Sequence, residues 1–410
     1  MSPKPDAFDV IIAGAGPVGL ALARSLSDTG LRLAIVDPQP LEALKQPAWD
    51  GREIALTHPS MDILKGLGVW DRIAEADRSD LRQARVTNGK SSRALSFDSP
   101  SGERLGVLVS NHLIRQALFD LTEHQPNLTL MSGRRIVQAR IRPASPQKPV
   151  QVEAQLDDGH RLTSSLIVAA DSRFSSVRQM LGVGADLHNL GRSIIVCRVR
   201  HEKDHEHVAT EGFDHGQILA FLPLNPDAEG HRSSVVLTLD NQTAQGLMEA
   251  SDEAFEADLI ARAAGRLGQM SVISPRRLYP QAISWSHSFS GEGYALVGDA
   301  AVGMNPITAH GFNLGLKGQD RLARQIKQAA AKGLVLGRAS TLRGYDHGHR
   351  LDALPLYRAT NTIAHLFTDE TLPAKALRQL VLNAGQALPP FRRAVSHSLM
   401  GKNPLSALLP

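Results

Sequence analysis

The sequence predicts an α/β protein: a parallel-sheet domain discontinuous in sequence, a β-rich second domain and a helical C-terminal region. Three observations predict it. Three separate apolar runs each end in a polar or Gly-rich turn followed by a helical pattern, at 9–28, 165–182 and 293–326. Between the last two lie "RSIIVCRVR", "GQILAFLPL" and "SSVVLTLD", β-rich runs separated by polar loops. Beyond residue 346, Leu377, Leu380, Val381, Ala384 and Leu388 fall on one helical stripe, with Lys375, Arg378 and Gln379 off it.

The first unit carries most information. Asp9 to Ala13 reads as a buried parallel strand, and a helix is expected from about Pro17 to Asp28, stopping at Gly30. A second strand, Leu31 to Val36, ends at Asp37. Between strand and helix stands GAGPVG, residues 14–19. Gly14 makes the tight turn, Gly16 lets backbone approach a pyrophosphate, and Gly19 lets helix pack on strand. The helix N-terminus offers free N–H groups and a positive dipole end to phosphates. Asp37 follows Gly16 by 21 residues, where an acid binds ribose hydroxyls. The pattern is that of a Rossmann-like dinucleotide domain and suits NAD or FAD. The acid disfavours NADP in this pocket, since its 2′-phosphate would be repelled.

Composition bounds the rest. The 410 residues are 42% hydrophobic and 21% charged, which reads as globular. A single cysteine, Cys197, excludes a disulfide framework and a Cys-based metal site and fits a reducing compartment. Strand alternation puts Cys197 on one face with Ile195 and Val199, as a small core residue. A formal charge of +4 does not make a nucleic-acid binder. The N-terminus lacks the apolar core of a secretory signal, and residues 300–316 are too rich in Gly, Asn, Pro and His to span a membrane. The chain is therefore expected in the cytoplasm, soluble or peripheral to the inner membrane. From Thr371 to Pro410 there are five basic residues and no acidic one.

The second and third motifs are "SLIVAADSRFSSVRQMLG" and "GYALVGDAAVGMNPITAHGFNLGLKGQDRLARQI". With the first, in this order and spacing, they resemble the flavin-dependent aromatic hydroxylases of the para-hydroxybenzoate hydroxylase class, and within it the ubiquinone-biosynthesis hydroxylase family. "WDGREIALTHPSMDILKGLGVWDRI", "LGVLVSNHLIRQAL", "YDHGHRLDALPLYRATNTIAHLF" and "AVSHSLMG" extend the likeness over nearly the whole chain.

The resemblance implies FAD as cofactor, NADH or NADPH as reductant, and O₂ added at flavin C4a to give a hydroperoxide that hydroxylates an electron-rich ring. Gly14, Gly16, Gly19 and Asp37 would hold the ADP half of FAD. Arg52 and Arg115 would lie along the cofactor, Arg115 near the pyrophosphate. Asp299 would bind a ribityl hydroxyl. The loop Pro306 to Asn313, including Gly311 and Phe312, would face the isoalloxazine ring. Asp171, with Arg178, would correspond to a strand–turn motif linked to both FAD and NAD(P)H. Residues 1–75, 100–180 and 281–345 would bind FAD, 76–99 and 181–280 would roof the substrate, and 346–410 would form the helical region. The substrate is expected to be a polyprenylated phenol or quinol intermediate of ubiquinone biosynthesis, with contact to a membrane or a quinone-biosynthesis complex. The phenol activates its own ring, so no catalytic base is assigned, and no metal is required.

The chemistry of individual residues supports part of this. An acid directly after a buried strand, as at Asp299, needs hydrogen-bond partners. A helix starting near Gly311 directs its positive end towards a flavin that becomes anionic on reduction. Two departures from the family pattern stand out. Ser172 occupies a position usually held by Gly, where a positive φ would be strained. Val302 stands where His is frequent, and His310 where Gln is common.

Three other readings remain open at this level. A hydroxylase of a small aromatic acid would need a cationic anchor, for which Arg192, Arg198 and Arg200 are candidates. A flavin-binding protein without oxygenase activity draws support from Ser172. A simple NAD dehydrogenase leaves residues 298–313 unexplained.

Overall fold

The computed structural model describes residues 5–88, 94–99, 102–145, 149–214, 216–305, 310–368, 371 and 388–402. Pro306, Lys375, Arg378 and the stripe residues Leu377, Leu380, Val381 and Ala384 lie outside them.

The apolar run at Val10–Ala13 is buried on both faces at the centre of a six-stranded sheet. Its order is Ser290–Gly291, Tyr294–Leu296, Leu166–Ala169, Val10–Ala13, Leu33–Asp37 and Leu128–Ser132. All neighbours except the first pair are parallel. The chain leaves Val10–Ala13 towards Leu33–Asp37 on one side, and Leu166–Ala169 pairs on the other. The carboxyl end of the central strand is thus a topological switch point, where open α/β sheets bind ligands.

The first helix, Pro17–Ser25, is shorter than the sequence predicts. The Thr29 hydroxyl donates to the Leu26 carbonyl at 2.7 Å and stops the helix early, ahead of Gly30 at φ +68°. The strand expected from Leu31 begins at Leu33. The helix His310–Ala331 packs against Pro17–Ser25, and the 30-residue helix Ala339–Thr368 packs on it in turn, beginning ahead of residue 346.

The β-rich runs form a second, larger sheet. Its order is Val302–Gly303, Arg277–Ser286, Ala185–His201, Gly230–Asp240, Gln217–Asp227, Val208–Asp214, Gln83–Asn88 and Ala94–Asp98. Strand alternation decides its two faces. Ile195, Cys197, Val199, Leu219, Phe221, Val235 and Leu237 point outward into a core closed by helices Asn241–Glu249 and Asp252–Ala263. Cys197 is fully buried there, as its phase predicts, and burial pushes its thiol up to about 12. The other face turns towards the parallel-sheet domain. Its far end is covered by the helix ends carrying Ile363, Leu366, Val395 and Leu399, which pack on Leu95, Phe97, Phe213 and Ile218.

Candidate functional site

The glycine turn is built as its spacing demands. Gly14 has φ +106°, and a β-carbon there would sit 2.6 Å from the Ala170 carbonyl oxygen. At Gly19 a β-carbon would come within 2.0 Å of the Gly14 carbonyl oxygen, so only glycine lets the helix approach its own turn. Gly16 differs: a β-carbon would meet nothing within 4 Å, so its backbone borders open space. Gly16 caps the helix without a side-chain bond, leaving first-turn N–H groups directed outward.

Asp37 is almost fully buried at the end of the second strand. Its Oδ2 accepts from Ala15 N–H at 2.6 Å and its Oδ1 from Gln39 N–H at 2.8 Å. Each oxygen keeps an acceptor position, the pattern that a ribose diol satisfies. Beside it, Arg115 on helix Asn111–Thr122 reaches the Gln39 side-chain carbonyl at 3.2 Å. Burial lowers the Arg115 guanidinium from its ordinary value, and among the described residues no carboxylate pairs with it. A half-buried cation with only an amide partner suits a pyrophosphate. Arg52 instead pairs with Asp50 at 2.6 Å and lies 5.7 Å from the Tyr279 ring centroid. These residues fit the ADP half of FAD.

The second motif is strained where the sequence departs from its family. Ser172 has φ +108°, in the region that favours glycine. Asp171 Oδ2 accepts from Val177 N–H at 3.2 Å and Ser176 Oγ–H at 3.3 Å, whereas Oδ1 is buried without a partner. Arg178 is 4% exposed and donates to the Arg173 carbonyl at 3.1 Å, bracing the turn from beneath. Replacing Ser172 by Gly is expected to stabilise the protein. Strain of about 1–3 kcal/mol disappears, offset by roughly 0.4–1 kcal/mol of added unfolded-state freedom. Thermal unfolding checks this, and a lower melting temperature for the variant would contradict it.

Asp299 stands on the turn Gly298–Ala300, and a β-carbon at Gly315 would lie 3.1 Å from Val18, so this turn, the first helix and the His310–Ala331 helix are closely packed. Its Oδ2 accepts two bonds from Arg173, at 3.1 Å from Nε and 2.7 Å from Nη2. Arg173 also donates to the Ala282 carbonyl on the larger sheet. Thus Arg173, which sequence reasoning missed, links the second motif, the third motif and the larger sheet. Nothing in "DSRF" marks it, because its partner is 126 residues away. Asp299→Ala is expected to weaken FAD binding. Charge-assisted bonds of about 1.5–3 kcal/mol are lost, or roughly one to two decades of affinity. Flavin fluorescence titration checks it; parent-like affinity would contradict the assignment.

At the start of the His310–Ala331 helix, Asn313 is used structurally. Its Nδ2–H donates to the Ala55 carbonyl at 2.8 Å and its Oδ1 accepts from Thr57 N–H at 3.0 Å. Asn313 therefore ties the helix to the strand Glu53–Leu56. Phe312 is half-buried against the main core, and His310 Nε2 lies 3.4 Å from the Ser398 carbonyl oxygen. Gly311 has open space on its β-carbon side as far as Met304 Cβ, 3.9 Å away.

The arginines considered as carboxylate anchors are engaged within the protein. Arg198 pairs with Glu53, buried to 1% exposure, at 2.6 Å. Arg200 pairs with Asp227 at 3.1 Å and Glu229 at 2.7 Å. Arg192 donates to the Gly216 carbonyl.

These features define a dinucleotide-binding flavoprotein scaffold. The FAD binding domain family matches residues 7–339, and the chain belongs to that family, in the branch containing the ubiquinone hydroxylases. It is 40% identical to the ubiquinone hydroxylase UbiM of Neisseria meningitidis, over 96% of this chain and 84% of that protein. It is 31% identical to the ubiquinone hydroxylase UbiL of Rhodospirillum rubrum, over 96% and 89%. The p-nitrophenol 4-monooxygenase PnpA of Pseudomonas putida shares the fold, with a TM-score of 0.74 at 17% identity over 97% and 99% of the two chains.

Proposed function

We propose that this chain is a FAD-dependent monooxygenase that hydroxylates the ring of a polyprenylated phenol or quinol intermediate of ubiquinone biosynthesis, using NADH or NADPH and O₂. One observation carries the preference for a neutral prenylated ring over an aromatic acid. The far end of the larger sheet's inner face is apolar, at Leu95, Phe97, Phe213 and Ile218, and of the candidate anchors Arg198 and Arg200 are bound by protein carboxylates while Arg192 donates to the Gly216 carbonyl. A substrate carboxylate there would be buried unpaired, which is costly. The relatives named ubiquinone hydroxylases support the same reading.

Gly14, Gly16, Gly19 and Asp37 would hold the adenosine and pyrophosphate, with Arg115 on the phosphates and Arg52 alongside. Asp299 would take a ribityl hydroxyl while Arg173 fixes its carboxylate. Asp171 and Arg178 would shape the turn shared with the reductant, and Pro306, Gly311, Phe312 and Asn313 would border the flavin ring. Bound FAD supplies oxygen activation after reduction by NAD(P)H. The protein positions the ring under the larger sheet and excludes water from it. Segments 1–75, 100–180 and 281–345 would hold the cofactor, 76–99 and 181–280 would roof the substrate, and 346–410 would form the helical C-terminal region. The test is turnover of a short-chain prenylated quinol by the purified holoenzyme, read as a product one oxygen atom heavier. Reductant oxidation without such a product would contradict the proposal.

A substrate dissolved in the bilayer requires contact with a membrane or a lipid-handling partner. Among the described residues no helix is long and apolar enough to cross a membrane. The helix Pro389–Leu399 and its N-cap residue present Leu388 and Phe391, 54% and 41% exposed, beside exposed Arg392 and Arg393. Peripheral docking there predicts salt-sensitive binding to anionic liposomes, each cation contributing about 1 kcal/mol. Changing Arg392 and Arg393 to Glu should weaken it. Equal binding by that variant, or none by the parent, would rule out an electrostatic membrane role.

A further inference from the structure

On the inner face of the larger sheet, a single cross-strand row runs Val196, Val236, Ala220, Glu211, Val86, Leu95, each paired with the next. Five of the six are apolar; Glu211 is the exception. The phase of its side chain is fixed by its neighbours. A β-carbon at Gly212 would contact Thr87 and Arg266 on the helix-covered side, whereas Phe213 packs on the opposite side with Leu95 and Ile218. Glu211 alternates with Gly212 and so faces inward with Phe213.

The middle of the row is less covered than its ends. At one end Val196 is closed off by Gly51, where a β-carbon would lie 2.5 Å from Val196 Cγ2, in the loop between Asp50 and Arg52. At the other end Leu95 is buried under the C-terminal helices. Between them Val236, Ala220, Glu211 and Val86 are only half-buried, although both ends of the face are covered. This less covered stretch lies between the Gly51 loop at one end and the helix Pro389–Leu399 at the other. That helix reaches the cofactor side directly, for the Ser398 carbonyl lies against His310 and the Met400 carbonyl accepts from His58 N–H. The centre of the row at Glu211 is three strands from Val196, roughly 14 Å at the usual strand spacing.

Among the described residues the Glu211 carboxyl has no hydrogen-bond donor and no cation beside it. Ala220 and Val86 stand opposite it on the adjoining strands. The covering elements bring Ile363, Leu366, Val395 and Leu399, and among the described residues the charged or titratable groups beside these are His365, Arg392, Arg393, His397 and, through Ser398, His310. None of these charges shifts it; burial alone pushes the Glu211 carboxyl up to about 8. A half-buried acid with apolar neighbours in its row and no ion-pair or hydrogen-bond partner among the described residues has no structural role to account for it.

We propose that Glu211 is a catalytic residue that binds the ring hydroxyl of the substrate and accepts its proton. This rests on the reading of the substrate as a phenol or quinol. The phenolic O–H bond breaks, the proton passes to the Glu211 carboxylate, and the electron pair stays on the ring oxygen. That raises electron density at the ring carbons ortho and para to it, where an electrophilic oxygen is accepted. The proton returns to solvent when product leaves. A base of raised pKa is better matched to a phenol than an ordinary carboxylate.

Glu211→Gln tests this in the holoenzyme, with a short-chain prenylated quinol carrying one open ring position. FAD content and reductant oxidation should persist, while hydroxylation falls by about 10²-fold or more. In the parent, hydroxylation should rise with pH through about 8, and the variant should lack that limb. The acid also leaves a stability signature. Its value rises on folding from 4.5 to about 8, so folding takes up a proton between those values and the folded state loses stability as pH rises across that window. The variant should therefore melt above the parent at pH 8; melting below it would assign Glu211 a structural role and overturn the proposal. A variant that hydroxylates at the parent rate with the parent pH profile overturns it alone. A parent that does not hydroxylate the probe overturns the functional reading, and this proposal with it.

Discussion

Gly19→Ala is expected to abolish FAD retention. The new β-carbon would sit 2.0 Å from the Gly14 carbonyl oxygen, a backbone atom that cannot swing aside as a side chain can. Either the first helix or the turn must shift, at a cost of about 1–3 kcal/mol or more. That corresponds to roughly one to two decades of affinity, even before the phosphate-facing N–H groups are misdirected. Gly16→Ala separates folding from binding. Its β-carbon meets no protein atom within 4 Å, so the variant should fold as the parent does yet lose FAD if, as proposed, the pyrophosphate lies there, because the methyl would occupy its space. Flavin content after gel filtration and thermal unfolding of the apoprotein measure the two effects. Parent-like FAD affinity in both variants would contradict the placement of the cofactor.

The largest stability effect is expected at Glu53 and Arg198. Their pair joins the strand Glu53–Leu56, part of the small sheet beside the cofactor loops, to the larger sheet. Glu53 Oε1 accepts from Arg198 Nε at 3.0 Å and Nη2 at 2.6 Å, and Oε2 accepts from Ser110 Oγ–H at 2.8 Å. With Glu53 at 1% side-chain exposure, Glu53→Gln leaves a cation in a site shaped for an anion, an expected loss of about 3–5 kcal/mol. The double variant Glu53→Gln, Arg198→Met removes the stranded charge and should recover much of the loss. Urea unfolding of the three variants checks this, and a Glu53→Gln midpoint equal to the parent's would show that the pair does not join the sheets energetically.

The contrast between these sites explains what the sequence can disclose. The glycine turn, its flanking strands and the terminal Asp37 are legible because local rules dictate them: a strand, a turn needing small residues and a helix must follow within a few residues. Cys197 is legible for the same reason, since strand alternation sets its phase. The strain at Ser172 is legible too, because a turn that requires positive φ acts on whichever residue fills it. Arg173 with Asp299, Asn313 with Thr57, and Glu53 with Arg198 are separated by 126, 256 and 145 residues, and no local pattern couples them. The resemblance implies Asn313 at the flavin ring, but it does not disclose that the Asn313 amide is held by the backbone of a strand more than 250 residues upstream. Glu211 lay between these cases. In "VATEGFDH" its phase with Phe213 is readable, but the apolar row across five neighbouring strands exists only in the folded sheet.

Extraction of the quinone pool from cells lacking this protein tests the central claim most directly. Loss of ring hydroxylation should leave ubiquinone depleted and a polyprenylated precursor accumulated, lighter by the missing ring oxygen and any group later attached to it. Re-expression of the parent should reverse this, and the Gly16→Ala variant should not. An unchanged ubiquinone pool with no such precursor, in cells with no second enzyme for the same step, would contradict the account.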